Sequence, residues 1–114
     1  MIIKACGVAG EDTECTVIEQ QARLYGCDTF LIAPNDENEL REGLIANAPY
    51  DLIYVSSHGN AEGLCNASST LDLDWDDFGS ILCDTMCMNQ DCILMLSCCR
   101  GGLNQVAYTM MYCC

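Results

Sequence analysis

Leu52-Ile53-Tyr54-Val55-Ser56-Ser57-His58-Gly59 and Cys92-Ile93-Leu94-Met95-Leu96-Ser97-Cys98-Cys99-Arg100-Gly101-Gly102 decide how this chain folds. Each is an apolar run without helical gaps that ends abruptly in a reactive side chain followed by glycine. A strand buried on both faces reads this way when it belongs to a parallel sheet and delivers a residue to its carboxyl end. The only histidine of the chain ends the first run, and a vicinal cysteine pair ends the second.

Working outward, Ile2 to Val8 reads as a first strand, interrupted by Lys4. Glu11-Asp12-Thr13 opens a helix capped by Asp12 or Thr13 and running to about Leu24 or Tyr25. Val17, Ile18, Gln21, Ala22 and Tyr25 define its inward face by their spacing, and Gly26 is its C′ residue. Asp28 to Ala33 is a short second strand stopped by Pro34. A helix follows to about Ala46 with Leu40, Leu44 and Ile45 inward, ended by Asn47-Ala48-Pro49. The third strand is Leu52 to Ser57. Gly59 to Leu71 is a polar loop, after which Leu71-Asp72-Leu73 is a brief extended piece. Asp74 caps a helix through Trp75, Phe78, Ile81 and Leu82 to about Met86. Asn89-Gln90-Asp91 turns the chain into the fourth strand, Cys92 to Cys98, and Leu103 to Tyr112 reads as a last helix. Strands alternating with helices in this way predict one domain over residues 1–114. It is an α/β/α three-layer sandwich with a mainly parallel sheet of about four strands.

Composition narrows the function classes. The chain has 114 residues, room for one core and not two. Its net charge of −13 comes from 17 acids against 4 bases, which repels nucleic-acid backbones and anionic membranes and favours neutral or basic peptides. No apolar run reaches the roughly 20 residues of a membrane span. Eleven cysteines would suit a disulfide framework in a secreted miniprotein. The odd count, the absence of a signal-like leader before Met1-Ile2-Ile3-Lys4, and the placement of many cysteines inside strand and helix patterns point instead to a cytoplasmic chain with mostly free thiols. Cys83, Cys87 and Cys92 lack the paired spacing of a structural zinc site and read as core residues. No metal and no other cofactor is expected.

The chemistry at the two strand ends needs few parts. A thiol becomes an effective nucleophile when an imidazole takes its proton, and backbone N–H groups must then hold an oxyanion. His58 and Cys99 supply the first pair, and the N–H groups of Gly59 and Cys99 are the candidate oxyanion donors. Cys98 and Cys99 alternate across the sheet, so one of them alone can face a cleft.

These residues resemble the caspase-like (caspase–hemoglobinase) cysteine peptidases. Ser57-His58-Gly59 matches the strand ending in His-Gly, and Ser97-Cys98-Cys99-Arg100-Gly101 matches the later strand ending in Cys-x-Gly. The caspase form places Gln-Ala before the cysteine, with the histidine roughly 50 residues upstream. Here Ser97-Cys98 stands there and the interval is shorter. The Ser-small-Cys version and the acidic segment Leu71-Asp72-Leu73-Asp74-Trp75 look most like the bacterial CHAT-domain branch. The resemblance covers about residues 50 to 105. It implies a cysteine endopeptidase with Cys99 as nucleophile, His58 as general base and then acid, and Ser97 lining the pocket for the substrate side chain before the scissile bond. It also implies two strands after the catalytic cysteine; the chain given stops at Cys113-Cys114, which reads as a minimal form, a fragment truncated at its C-terminus, or a sheet that a partner chain completes.

Two other classes compete. The first is a non-catalytic module that assembles with itself or a partner chain through an exposed sheet edge. The second is a thiol redox or soft-metal protein using the cysteines. Under the peptidase reading the partner is a protein or peptide substrate, neutral or basic near the cut.

Overall fold

The computed structural model of the protein describes residues 1–4, 11–59, 62–66 and 68–97. Its main sheet is built from β1 (Ile2–Lys4), β2 (Leu31–Ile32), β3 (Tyr50–Ser56) and β7 (Met88–Ser97), in the order β2-β1-β3-β7 with every pairing parallel. Between β3 and β7 the chain makes a small antiparallel sheet of β4 (His58–Gly59), β5 (Gly63–Cys65) and β6 (Asp72–Asp74). The helices are α1 (Glu11–Leu24), α2 (Glu37–Ala46) and α3 (Trp75–Asp84). The predicted final helix lies outside the described residues.

Side-chain alternation along the strands sorts the helices onto two faces. Ile3, Ile53 and Val55 join Leu40 and Leu44 of α2 and Phe78, Ile81 and Leu82 of α3 in the larger core. Their neighbours Ile2 and Tyr54 point the other way, against Cys15 and Ile18 of α1. Among the described residues one helix lies on one face of the sheet and two on the other, in keeping with the prediction of helices on both faces.

Local chemistry sets the helix ends. Asp36 caps α2, its carboxylate accepting from the Glu39 N–H at 2.8 Å, while the Glu39 carboxylate accepts from the Asn35 N–H at 2.6 Å. Asp74 caps α3 by accepting from the Asp77 N–H at 2.7 Å, as the sequence predicts. Helix α1 closes in a Schellman arrangement, with Gly26 N–H donating to Arg23 C=O and Cys27 N–H to Ala22 C=O. That geometry requires the left-handed φ of +80° that Gly26 supplies.

Several predicted details change. Helix α1 starts at Glu11, so Asp12 and Thr13 sit inside it rather than capping it. Its inward face carries Cys15 and Ile18, whereas Val17 and Tyr25 are exposed. Ile45 of α2 is exposed too, because Leu40 and Leu44 already fill the contact with the sheet. The second strand shrinks to Leu31–Ile32. The turn before the last strand comes at Thr85 and at Met86, which has φ +50°. Asn89-Gln90-Asp91 is therefore already strand, and the Asn89 amide donates to the Asp51 carboxylate at 2.7 Å across to β3. The polar stretch predicted as a loop folds into β4, β5 and the turn before β6.

The cysteines divide. Cys15, Cys27, Cys65, Cys87 and Cys92 are free thiols, whereas Cys83 is disulfide-bonded rather than a packed thiol as predicted. Cys87 is fully buried beneath the core, and Cys92 packs at its margin. No helix among the described residues is long and apolar enough to cross a membrane.

Candidate functional site

In the main sheet the chain steps from β1 outward to β2, then returns to the other side of β1 as β3. Such a reversal opens a crevice at the carboxyl ends of the strands on either side of it. Lys4, Ser56 and Ser97 are register partners, so β1, β3 and β7 reach this edge level with one another. The ladder runs one step further, where Ser57 N–H donates to Ser97 C=O at 3.3 Å. His58 follows at once, and there the chain leaves the main sheet for the small one.

The small sheet fixes the surroundings of His58. His58 pairs with Cys65, and Cys65 with Asp72, so these three form one row across β4, β5 and β6. Directly opposed residues share a face in an antiparallel pair. All three line a cavity of about 390 Å³, together with Glu62 and Asp74. The turn into α3 is held against this sheet by the Trp75 N–H, which donates to Glu62 C=O at 3.1 Å. The cavity wall thus carries one imidazole, one thiol and three carboxylates.

On the α1 side a second polar group gathers. Ser97 donates its hydroxyl to Oε1 of Glu14 at 2.7 Å, and the Tyr54 hydroxyl donates to the same oxygen. The bond from Ser97, then that from Tyr54, hold the Glu14 carboxyl below its ordinary range. Burial opposes them, and a weaker bond from Ser56 adds to them. Burial first, and the bond to Glu14 second, push the Tyr54 phenol up, so it stays a donor.

Of the sequence-predicted residues, His58, Gly59 and Ser97 stand at the carboxyl edge of the main sheet, and Cys99 lies outside the described residues. Ser97 is engaged by a carboxylate that the sequence reading did not single out. Glu14 precedes Cys15 and lies four residues before Ile18. Placing the inward face of α1 on Cys15 and Ile18 would have put Glu14 at the sheet. The Cys65–Asp72 pairing was hidden because β4 and β5 are two and three residues long and carry no period to read. Among the described residues, no three His, Cys, Asp or Glu side chains are grouped so as to hold a metal ion.

Comparison with protein-family models, curated proteins and solved structures found no match.

Proposed function

We propose that the protein is a cysteine endopeptidase of caspase-like fold, with His58 and Cys99 as its catalytic pair. The observation that carries this reading is the parallel register of β3 and β7. It pairs Ser56 with Ser97, and His58 and Cys99 each follow two residues later in the chain. In the reaction His58 takes the Cys99 thiol proton as sulfur attacks the scissile carbonyl carbon. The N–H groups of Gly59 and Cys99 bind the resulting oxyanion. The C–N bond then breaks, with the proton passing from His58 to the leaving amine, and a thioester remains on Cys99. Water deprotonated by His58 hydrolyses the thioester, releases the acid and returns the proton to the thiol. A reducing compartment would suit such a nucleophile and the five described cysteines outside any disulfide, and the disulfide at Cys83 is the feature that speaks against it.

Turnover of fluorogenic peptides by the wild-type protein is expected to be abolished by Cys99→Ala and by His58→Ala. Activity that survives both would refute the pair. Cys65 is the internal competitor, since it stands directly across from His58. Loss of activity in Cys65→Ala with retention in Cys99→Ala would move the nucleophile to Cys65.

A second reading, an interaction module, draws on β7. Among the described residues this ten-residue strand pairs on one side only, with β3. Ile93 and Met95 on it are 57% and 47% exposed, and a long edge of this kind invites pairing with another chain.

A further inference from the structure

We infer that Cys65 is a covalent capture site for small cationic disulfides, with His58 as the base that takes its thiol proton and Asp72 as the anion that holds the incoming ammonium group. The inference does not depend on the peptidase reading above.

The small sheet supplies the geometry. Leu64 and Leu73 are register partners, both buried in the core. Side chains alternate along a strand, so Cys65 and Asp72, register partners of one another, belong to the opposite face. His58 stands across from Cys65 on the other side. The thiol thus has an imidazole on one flank and a carboxylate on the other. Directly opposed residues of antiparallel strands hold their Cβ atoms about 5 Å apart, so both neighbours are within side-chain reach of the sulfur. Cys65 is only partly buried and belongs to no disulfide. All three residues line the cavity of about 390 Å³, a volume within the range of small-molecule sites.

The lining selects the ligand. Glu62, Asp72 and Asp74 give the wall one sign of charge, and among the described residues no lysine or arginine lines it. Such a wall draws a cation in and turns an anion away. The thiol sets the chemistry, which is exchange with a disulfide and proceeds through the thiolate. His58 takes the Cys65 proton as the sulfur attacks one sulfur of the disulfide R–S–S–R. The R–S–S–R bond breaks while the Cys65–S–S–R bond forms. The departing R–S⁻ collects the proton from His58 and leaves as a thiol. One thiol and one disulfide stand on each side of the reaction, so the disulfide itself is the only oxidant. A cysteine that merely occupies a place in the sheet would show no choice among reagents by charge.

The test uses the full chain and three disulfides of similar length: cystamine, a dication; hydroxyethyl disulfide, which is neutral; and dithiodipropionate, a dianion. Peptide mapping by mass spectrometry gives the rate of adduct formation at each cysteine. Dividing the rate at Cys65 by that at Cys27, an exposed free thiol of the same chain, cancels the intrinsic reactivity of each reagent. At low ionic strength this ratio is expected to be at least about tenfold higher for cystamine than for the neutral disulfide, and lowest for the dianion. Asp72→Asn should collapse the preference. Salt at about 1 M should do the same with no substitution at all. His58→Gln should lower the ratio by about tenfold or more for all three reagents. Circular dichroism verifies that each variant folds. Equal ratios for the three reagents at low salt would overturn the capture site. A charge preference that survives both Asp72→Asn and high salt would remove Asp72 from it, and an unaltered ratio in folded His58→Gln protein would remove His58.

Discussion

Glu14 ties three parts of the molecule together: α1, which carries it, and the ends of β3 and β7, which donate to it. Its carboxyl is held below the ordinary glutamate range by those bonds, that from Ser97 first. A carboxylate with a lowered native pKa stabilises the fold at pH values above its unfolded-state pKa, and that contribution disappears as pH falls through the native value. The stability advantage of wild type over Glu14→Gln should therefore be full at neutral pH. It should shrink on acidification, beginning at the ordinary glutamate range and continuing below it. Thermal melts of both proteins across that range measure it. A difference that stays constant with pH would show that the charge of Glu14 is not what the hydroxyls stabilise.

The small antiparallel sheet depends on close backbone approach at one position. A Cβ on Gly63 would lie 2.1 Å from the Leu73 carbonyl oxygen and 2.7 Å from Asp74 Cα, both backbone atoms that cannot rotate away. Gly63→Ala should therefore separate β5 from β6, at a cost on the order of 1–3 kcal/mol. It should also dismantle the row of His58, Cys65 and Asp72. Protection of the backbone amides of residues 63–65 from hydrogen exchange would report this, and unchanged protection would contradict it. Helix α3 packs on the same region and depends on its cap. Replacing Asp74 by Ala removes the acceptor for the Asp77 N–H and is expected to cost about 1 kcal/mol in chemical denaturation. A neutral result would mean that the packing of Trp75, Phe78 and Ile81 alone defines the start of the helix.

One core holds the two sheets together. Phe78 is 1% exposed and belongs to a cluster that includes Ile53 and Val55 of the main sheet and Leu64 and Leu73 of the small one. Phe78→Ala should cost about 3–5 kcal/mol, a large part of the stability of a domain this size. A cost below that range in urea unfolding would indicate that the two sheets are stabilised separately. The other face of the main sheet is less covered, since Leu52, Ile93 and Met95 stay exposed there. Together with the one-sided pairing of β7, this makes association of copies the expectation of the module reading. Light scattering behind size-exclusion chromatography should then show mass rising with concentration, and disruption by Ile93→Lys. A monomer at all concentrations would remove that reading.

The apolar runs at residues 52–57 and 92–97 were legible as strands because a strand buried on both faces needs little but apolar side chains. The alternation with helices made the parallel sheet and its layers follow. The cap at Asp74 and the glycine at position 26 were legible because each acts within a few residues of itself. The same runs pointed to His58 and Cys99 as edge residues; His58 stands there, and Cys99 lies outside the described residues. The inward face of α1 was misread because its apolar residues are sparse and only contact with Ile2 and Tyr54 decides between two stripes. The small sheet was invisible because its strands are too short to show a period and exist through pairing with one another. Glu14 and Ser97 are 83 residues apart in sequence. Local pattern carries no information on such a pair; it took the packing of α1 across the ends of β3 and β7 to bring a carboxylate to the site.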